Sequence, residues 1–166
     1  MTLTPTEAGR TRTVSWGDPV EGARRGLELS GLEYLRAMMA GELPAPPIMA
    51  TLGFDLVEVG EGRAVFACEP GEHHMNPIGS VHGGLAATLL DSATGVAVHT
   101  TLGAGVSYTT LDLHVTFVRA IVPGTGRLTA HGEVLHAGRR VATAHGRVVD
   151  EAGRLLAHAT ANCLIL

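Results

Sequence analysis

Lysine is absent from this sequence, because all 12 basic residues among its 166 are arginine. Without a lysine amine, the chain has neither Schiff-base chemistry nor the lysine of a phosphate-binding P-loop. No uninterrupted apolar run reaches the roughly 18 residues of a membrane span, so we expect no membrane insertion. The net charge is -4 and no basic run occurs, which argues against nucleic acid as the main partner.

Cysteine and charged residues are scarce as well. The two cysteines, Cys68 and Cys163, lie in apolar, strand-like runs, and we predict buried free thiols rather than a disulfide. The segment Met1–Arg12 lacks the apolar core of a secretory signal peptide, so the expected location is cytoplasmic. Only 17% of the residues are charged and 45% are hydrophobic, which leaves apolar surface for a subunit interface or an apolar ligand pocket.

The length suits one domain preceded by a short arm. Residues 1–28 are polar without clear periodicity and are interpreted as an N-terminal arm, whereas residues 29–166 form the domain. Ser30 is a suitable N-cap for a predicted helix over Gly31–Ala40. A proline cluster at residues 44–47 then interrupts the chain.

The rest of the domain alternates strand-like runs with one long helix. The predicted strands are Gly53–Val59, Arg63–Glu69, Tyr108–Arg119, Gly126–His136, Arg140–Val149 and Arg154–Leu166. The helix, predicted over Val81–Thr100, is apolar around most of its circumference and is therefore expected to be buried. The pattern predicts an α+β hotdog fold, in which a curved antiparallel sheet wraps around one long central helix.

One carboxylate stands out on this helix. Asp91 shares a stripe with Thr88, Gly95 and His99, at spacings of three and four residues. A carboxylate on an apolar helix is costly to bury without a partner. The helix alone leaves two readings open: a functional group, or a carboxylate satisfied by nearby backbone or by an arginine.

The loop before the helix ends in Gly83-Gly84. The first backbone N–H groups of a helix are unpaired and lie at the positive end of its dipole, which suits a developing oxyanion. The alternative is a tight turn that allows close packing of the helix.

Gly83 and Asp91 are eight residues apart, or about 12 Å along one helix. One small carbonyl group cannot touch both on the same helix. If both residues act on it, they come from two subunits, and a two-fold homodimer then contains two equal sites.

The loop and the helix together carry a motif, which reads Asn76-x-x-Gly79-x-x-His82-Gly83-Gly84 and then Asp91. This motif resembles the signature of PaaI-like hotdog acyl-CoA thioesterases, and the resemblance extends over roughly residues 45–165. It implies hydrolysis of an acyl-CoA thioester to the free acid and CoA, with no metal or redox cofactor. It also implies a homodimer or homotetramer with sites at the subunit interface.

The resemblance assigns roles to individual residues. Asp91 is the general base or nucleophile, and Gly83 supplies an oxyanion N–H. Asn76 helps to position the carbonyl or the water. Thr110, with Thr109 as the neighbouring alternative, orients the water. His82 joins this set as the residue whose hydrogen bonds shape the loop.

Three arginines are candidates for the phosphates of CoA, namely Arg119, Arg139 and Arg140. Arg139 and Arg140 fall at a predicted hairpin tip and Arg119 at a strand end, where solvated turn charges are the alternative. The histidines of this region lack a carboxylate or cysteine at ligand spacing, so we expect no metal site.

Two competing functions remain open. A hotdog hydratase or dehydratase usually pairs an aspartate with a histidine a few residues later, and the loop before the helix holds no such pair. A non-catalytic acyl-CoA-binding or sensor protein does not need the carboxylate of Asp91. A sister thioesterase family has a glutamate at that position and a threonine one turn later, where this chain has Gly95. The acyl group itself is left open.

Overall fold

The computed structural model describes residues 9–166, so the first eight residues of the predicted N-terminal arm lie outside the described part. In chain order the elements are α1 (Pro19–Gly26), α2 (Gly31–Met39), α3 (Pro47–Leu52), β1 (Phe54–Gly60), β2 (Arg63–Cys68), a 3-10 turn (Glu72–His74), α4 (Gly83–His99), β3 (Tyr108–Phe117), β4 (Leu128–Ala137), β5 (Val141–Val149) and β6 (Leu155–Ile165).

The sheet is antiparallel and runs in the order β1-β2-β4-β5-β6-β3, with α4 lying in its curve. The predicted α+β hotdog fold is therefore confirmed. The two predicted helices and six predicted strands are all present, and their ends differ from the prediction by at most two residues. Arg119, predicted to end a strand, lies just beyond β3, because the backbone leaves the ladder after Phe117.

Two segments contain helices that the sequence analysis did not assign. α1 lies inside the predicted arm, where the Asp18 side chain accepts a hydrogen bond from the Val20 N–H at 2.8 Å and Pro19 begins the helix. These are helix-start signals in a polar segment whose lack of apolar periodicity hid them. α3 begins at Pro47 and ends at Gly53, whose φ of 66° is left-handed, a conformation that glycine adopts without strain.

α4 is buried because the sheet approaches its backbone closely. Leu89, Leu90 and Ala93 are fully inaccessible to solvent. Gly132 on β4 permits this contact, since an added Cβ would lie 2.1 Å from the Ala93 carbonyl oxygen. A fully buried leucine contributes about 1.5–3 kcal/mol relative to an exposed one, so this contact anchors the helix.

α2 starts directly against the end of α4. Ser30 and Glu33 form a reciprocal capping box at its first turn. A Cβ at Gly31 would lie 1.8 Å from the carbonyl oxygen of His99, so only glycine fits there. This contact places α2 across the C-terminal half of α4.

β3 is an edge strand, paired only with β6 in the described chain. Its outer edge exposes apolar side chains, with Leu111 55% and Phe117 57% accessible. An exposed edge of this kind is a template for pairing with another strand.

The remaining sequence expectations concern membranes and thiols. Within residues 9–166, no helix combines the length and apolarity needed to cross a membrane. Cys68 and Cys163 are buried free thiols, as predicted.

Candidate active site

Asp91 lies half-buried on α4, beside the start of strand β3. The Thr110 hydroxyl donates a hydrogen bond to Asp91 Oδ1 at 3.0 Å. Thr109 is exposed, because successive strand residues point to opposite faces of a sheet. The structure thus brings Thr110, and not Thr109, to the carboxylate.

Among residues 9–166, no arginine forms an ion pair with this carboxylate. The ion pairs formed among residues 9–166 do not include Asp91. The carboxylate of Asp91 is therefore not satisfied by an arginine of the described chain. Its side-chain hydrogen bond comes from the hydroxyl group of Thr110.

A cavity of about 370 Å³ opens beside Asp91 and Thr110. Its wall is mainly apolar and comes from α2, α3, β1, β2 and α4; it includes Leu35, Met38, Met49, Phe54, Phe66 and Val96. Neither α2 nor the following proline-rich segment is among the elements predicted to form the site. The signal available was the pair of apolar side chains, Leu35 and Met38, that α2 turns inward.

Neutral rings surround the far end of this cavity. Burial lowers the pKa of His99, which keeps its imidazole uncharged at neutral pH. Burial, together with the nearby Cys163 and Asp91, raises the pKa of Tyr108. Burial also raises the pKa of the Cys163 thiol, against a lowering contribution from its hydrogen bond with Thr110. His99, Tyr108 and Cys163 are therefore uncharged at neutral pH.

The Asn76 side chain closes the loop before α4. Its Oδ1 accepts hydrogen bonds from the Ile78 and Ser80 N–H groups at 3.0 and 3.1 Å. Its Nδ2 donates to Ser80 Oγ at 2.8 Å, and Gly79 in this turn has a φ of 86°. Asn76 is thus engaged in holding the backbone that leads to the helix start.

His82 caps α4. Its Nδ1 accepts the Gly84 N–H at 2.8 Å, which fixes the first turn of the helix. Gly83 is the first helical residue, and its own N–H finds no acceptor among residues 9–166. A backbone donor at the positive end of a helix is therefore available to a ligand.

Gly83 lines a different cavity from Asp91. This cavity at the start of α4 measures about 240 Å³ and is lined by residues that include Gly83, Phe117 and Arg119. The Arg119 side chain is exposed and donates a hydrogen bond to the Leu155 carbonyl at 2.8 Å. One chain therefore keeps the helix start and the carboxylate in separate pockets, as their spacing on α4 requires.

Arg139 and Arg140 are exposed at the turn between β4 and β5. The Arg140 carbonyl accepts a hydrogen bond from Ile165 N–H, and Ile165 pairs with Tyr108. The turn therefore lies at the end of the sheet where β3 begins, on the side of Asp91 and Thr110.

The neighbouring histidines have structural contacts. His74 accepts the Gly71 N–H at Nδ1 and contacts the Leu52 carbonyl through Nε2 at 2.8 Å, which requires a proton on Nε2. In the described range, no group of three His, Cys, Asp or Glu side chains is arranged to hold a metal ion.

Known proteins are similar to this chain in sequence and in fold. Residues 78–157 match the family model of the thioesterase superfamily. Human acyl-coenzyme A thioesterase 13 is 32% identical over 104 residues, which cover 61% of this chain and 72% of that protein. A Halobacterium salinarum protein is 42% identical over 76 residues, and this match spans only 48% of its length.

Solved structures of other proteins have the same fold as this chain. A phenylacetic acid degradation-related protein from Ralstonia eutropha superposes with a TM-score of 0.72 at 32% identity, covering 79% of this chain and 98% of that chain. A mutant of the phenylacetic acid degradation protein PaaI from Thermus thermophilus gives a TM-score of 0.65 at 31% identity, covering 72% and 98%. The chain belongs to the thioesterase superfamily, and within it to the PaaI-like hotdog thioesterases. It is a thioester hydrolase.

Proposed function

We propose that this protein hydrolyses acyl-CoA thioesters to the free acid and CoA. The observation that carries the proposal is the hydrogen-bonded pair of Asp91 and Thr110 beside a mainly apolar cavity. A carboxylate, a hydroxyl group and an apolar acyl subsite are the groups that thioester hydrolysis needs. The likeness to human acyl-coenzyme A thioesterase 13 supports CoA as the thiol half of the substrate.

Asp91 acts as the general base in this proposal, with direct nucleophilic attack as its alternative. The Thr110 hydroxyl donates a hydrogen bond to one carboxylate oxygen, and its own oxygen, which has two lone pairs, can accept a hydrogen bond from water. A water molecule held between Thr110 and the second carboxylate oxygen of Asp91 attacks the thioester carbonyl. The carboxylate takes the proton of this water, and the CoA thiolate leaves.

Gly83 N–H stabilises the oxyanion that forms on the carbonyl oxygen. Its unpaired donor at the helix start supports this role, and removal of one such donor costs about a hundredfold or more in other enzymes. Asn76 and His82 serve this donor by holding the loop and the first turn, as their hydrogen bonds indicate.

The complete site is shared between two copies of the chain. Antiparallel pairing of two β3 edges about a two-fold axis places the Thr110 end of one strand beside the Phe117 end of the other. Phe117 lies against Gly83, whose Cβ position is 3.1 Å from its ring. Such a dimer brings the carboxylate of one copy to the helix start of the other, and it covers the exposed apolar edge.

The same pairing gathers the arginines around one site. Arg119 accompanies the helix start of its own copy, whereas Arg139 and Arg140 accompany the carboxylate end. We propose that they contact the phosphates of CoA, which carry charge that guanidinium groups recognise well.

Release of the CoA thiol across a panel of acyl-CoAs tests this function. We expect the wild-type protein to hydrolyse at least one aryl, short-chain or medium-chain acyl-CoA. The Asp91→Asn variant must lose that activity while keeping its fold by circular dichroism. A folded wild-type protein that hydrolyses no member of the panel contradicts the proposal.

A further inference from the structure

A second apolar cavity adjoins the one that contains Asp91. Its volume is about 200 Å³, and its lining includes Ala23 and Leu27 from the arm and Val106 from the loop before β3. The roles assigned to the site above leave this space unused.

Three rings separate the two cavities. Tyr34, His99 and Tyr108 line both of them. The ring centroids of Tyr34 and His99 are 5.5 Å apart, and those of His99 and Tyr108 are 5.3 Å apart. The three side chains come from α2, α4 and β3, and together they form what we term the end wall.

The N-terminal arm holds the Tyr34 ring in place. A Cβ at Gly26, the last residue of α1, would lie 2.6 Å from the Tyr34 ring, so the backbone of α1 rests on that ring. α1 itself packs closely on the proline-rich segment, because a Cβ at Gly22 would lie 2.8 Å from Pro44 Cγ. The ring therefore cannot turn aside unless α1 moves.

The distance from Asp91 to the end wall limits the length of an acyl group. His99 is eight residues beyond Asp91 on α4, and Gly95 and Val96 line the cavity between them. Eight residues span about 12 Å. Contact distances of about 3.5 Å at each end leave about 5 Å. An extended chain advances about 1.25 Å per carbon–carbon bond, so about four bonds fit beyond the carbonyl carbon.

We propose that Tyr34, together with His99 and Tyr108, ends the acyl subsite and selects acyl groups of about four to six carbons. The second cavity receives the distal carbons of longer chains once the Tyr34 ring is removed. This inference rests on the acyl-CoA hydrolysis proposed above, and it assigns the N-terminal arm a part in substrate selection.

The test is the ratio of kcat/KM for dodecanoyl-CoA to that for hexanoyl-CoA, within a series from butanoyl to dodecanoyl. In the wild type, kcat/KM should peak at butanoyl or hexanoyl and fall for longer chains. In Tyr34→Ala the ratio should rise at least about tenfold, because two or more further methylene groups become buried. The matched control Tyr34→Phe keeps the ring and should keep the wild-type ratio.

A second variant tests whether the longer chain uses the second cavity. Adding Ala23→Trp to Tyr34→Ala fills that cavity from α1, and the ratio should return towards the wild-type value. If Tyr34→Ala fails to fold, Tyr34→Leu takes its place, since it keeps apolar packing beneath α1. A folded variant without the ring and with an unchanged ratio overturns the end wall but leaves acyl-CoA hydrolysis standing. Absence of hydrolysis in the wild type overturns the proposed function instead.

Discussion

The start and the middle of α4 present different chemistry. At its start, Gly83 offers a backbone donor, and the surrounding loop is held by side-chain-to-backbone hydrogen bonds of Asn76 and His82. Two turns later, Asp91 and Thr110 offer side-chain groups beside an apolar cavity. The first region can stabilise negative charge and the second can take a proton, and neither is a complete hydrolytic site.

This division explains how one helix can serve a reaction that needs both a backbone donor and a carboxylate. Backbone donors with the positive dipole exist only at a helix start, whereas an apolar pocket needs the middle of the helix, where neighbouring elements cover it. In the proposed dimer, a second copy of the chain supplies the missing half of each site. The predictions below test the two regions separately and then their combination.

The largest expected effect falls on the carboxylate. Asp91→Asn should lower kcat by at least about a hundredfold, because the amide cannot accept the proton from water. The measurement is CoA release by the folded variant. Asp112→Asn is the matched control, since Asp112 is an exposed carboxylate on the edge strand β3 that accepts hydrogen bonds from Asn162 instead. Hydrolysis near the wild-type rate by Asp91→Asn would falsify the assigned role.

The second prediction combines one variant in the loop before α4 with one variant in the middle of α4. Asp91→Asn and Asn76→Ala should each be nearly inactive as pure dimers, because each dimer has two damaged sites. When equal amounts are unfolded and refolded together, about half the dimers are mixed, and each mixed dimer has one intact site of two. Activity should therefore recover to roughly a quarter of the wild-type value.

The control for this experiment is the same refolding of each variant alone, which should recover nothing. Mixed dimers must be demonstrated, for example with two differently tagged chains. Their presence without any recovery would place each site within a single chain, although thioester hydrolysis would still stand.

A smaller effect is expected at Thr110. Thr110→Val keeps the shape of the side chain and removes the hydrogen bond to Asp91, so kcat should fall about tenfold, at or below the lower range for a positioned proton-transfer group. Thr109→Val is the matched control, since Thr109 is exposed on the other face of the sheet. Equal losses in the two variants would mean that the strand, and not the hydroxyl, is sensitive.

The smallest effect is expected at the hairpin arginines. Arg139→Ala and Arg140→Ala should raise KM for acyl-CoA several-fold more than they lower kcat, because distant phosphate contacts bind ground and transition states alike. A truncated pantetheine thioester lacks the nucleotide phosphates and should show no such defect. Equal defects on both substrates would remove these arginines from the nucleotide end.

The sequence by itself determined α2, α4 and the six strands of this fold. The apolar circumference of α4 and the strand-like runs reflect local periodicity, so their positions followed within two residues. The arm was different: the Asp18 and Pro19 start signals of α1 are short, and the helix has only eight residues, most of them polar or small. Apolar periodicity did not reveal α1, because this helix packs through Gly26 on the Tyr34 ring and through Gly22 on Pro44.

The candidate chemistry divides in the same way. Asp91 and the Gly83 helix start could be singled out because their residue types are unusual in an apolar segment. Which threonine meets Asp91 depended on the register of β3, where a shift of one residue exchanges the faces of Thr109 and Thr110. The acyl cavity and its end wall join residues of α2, α4 and β3 that are distant in sequence, so only the packing of those elements could bring them together.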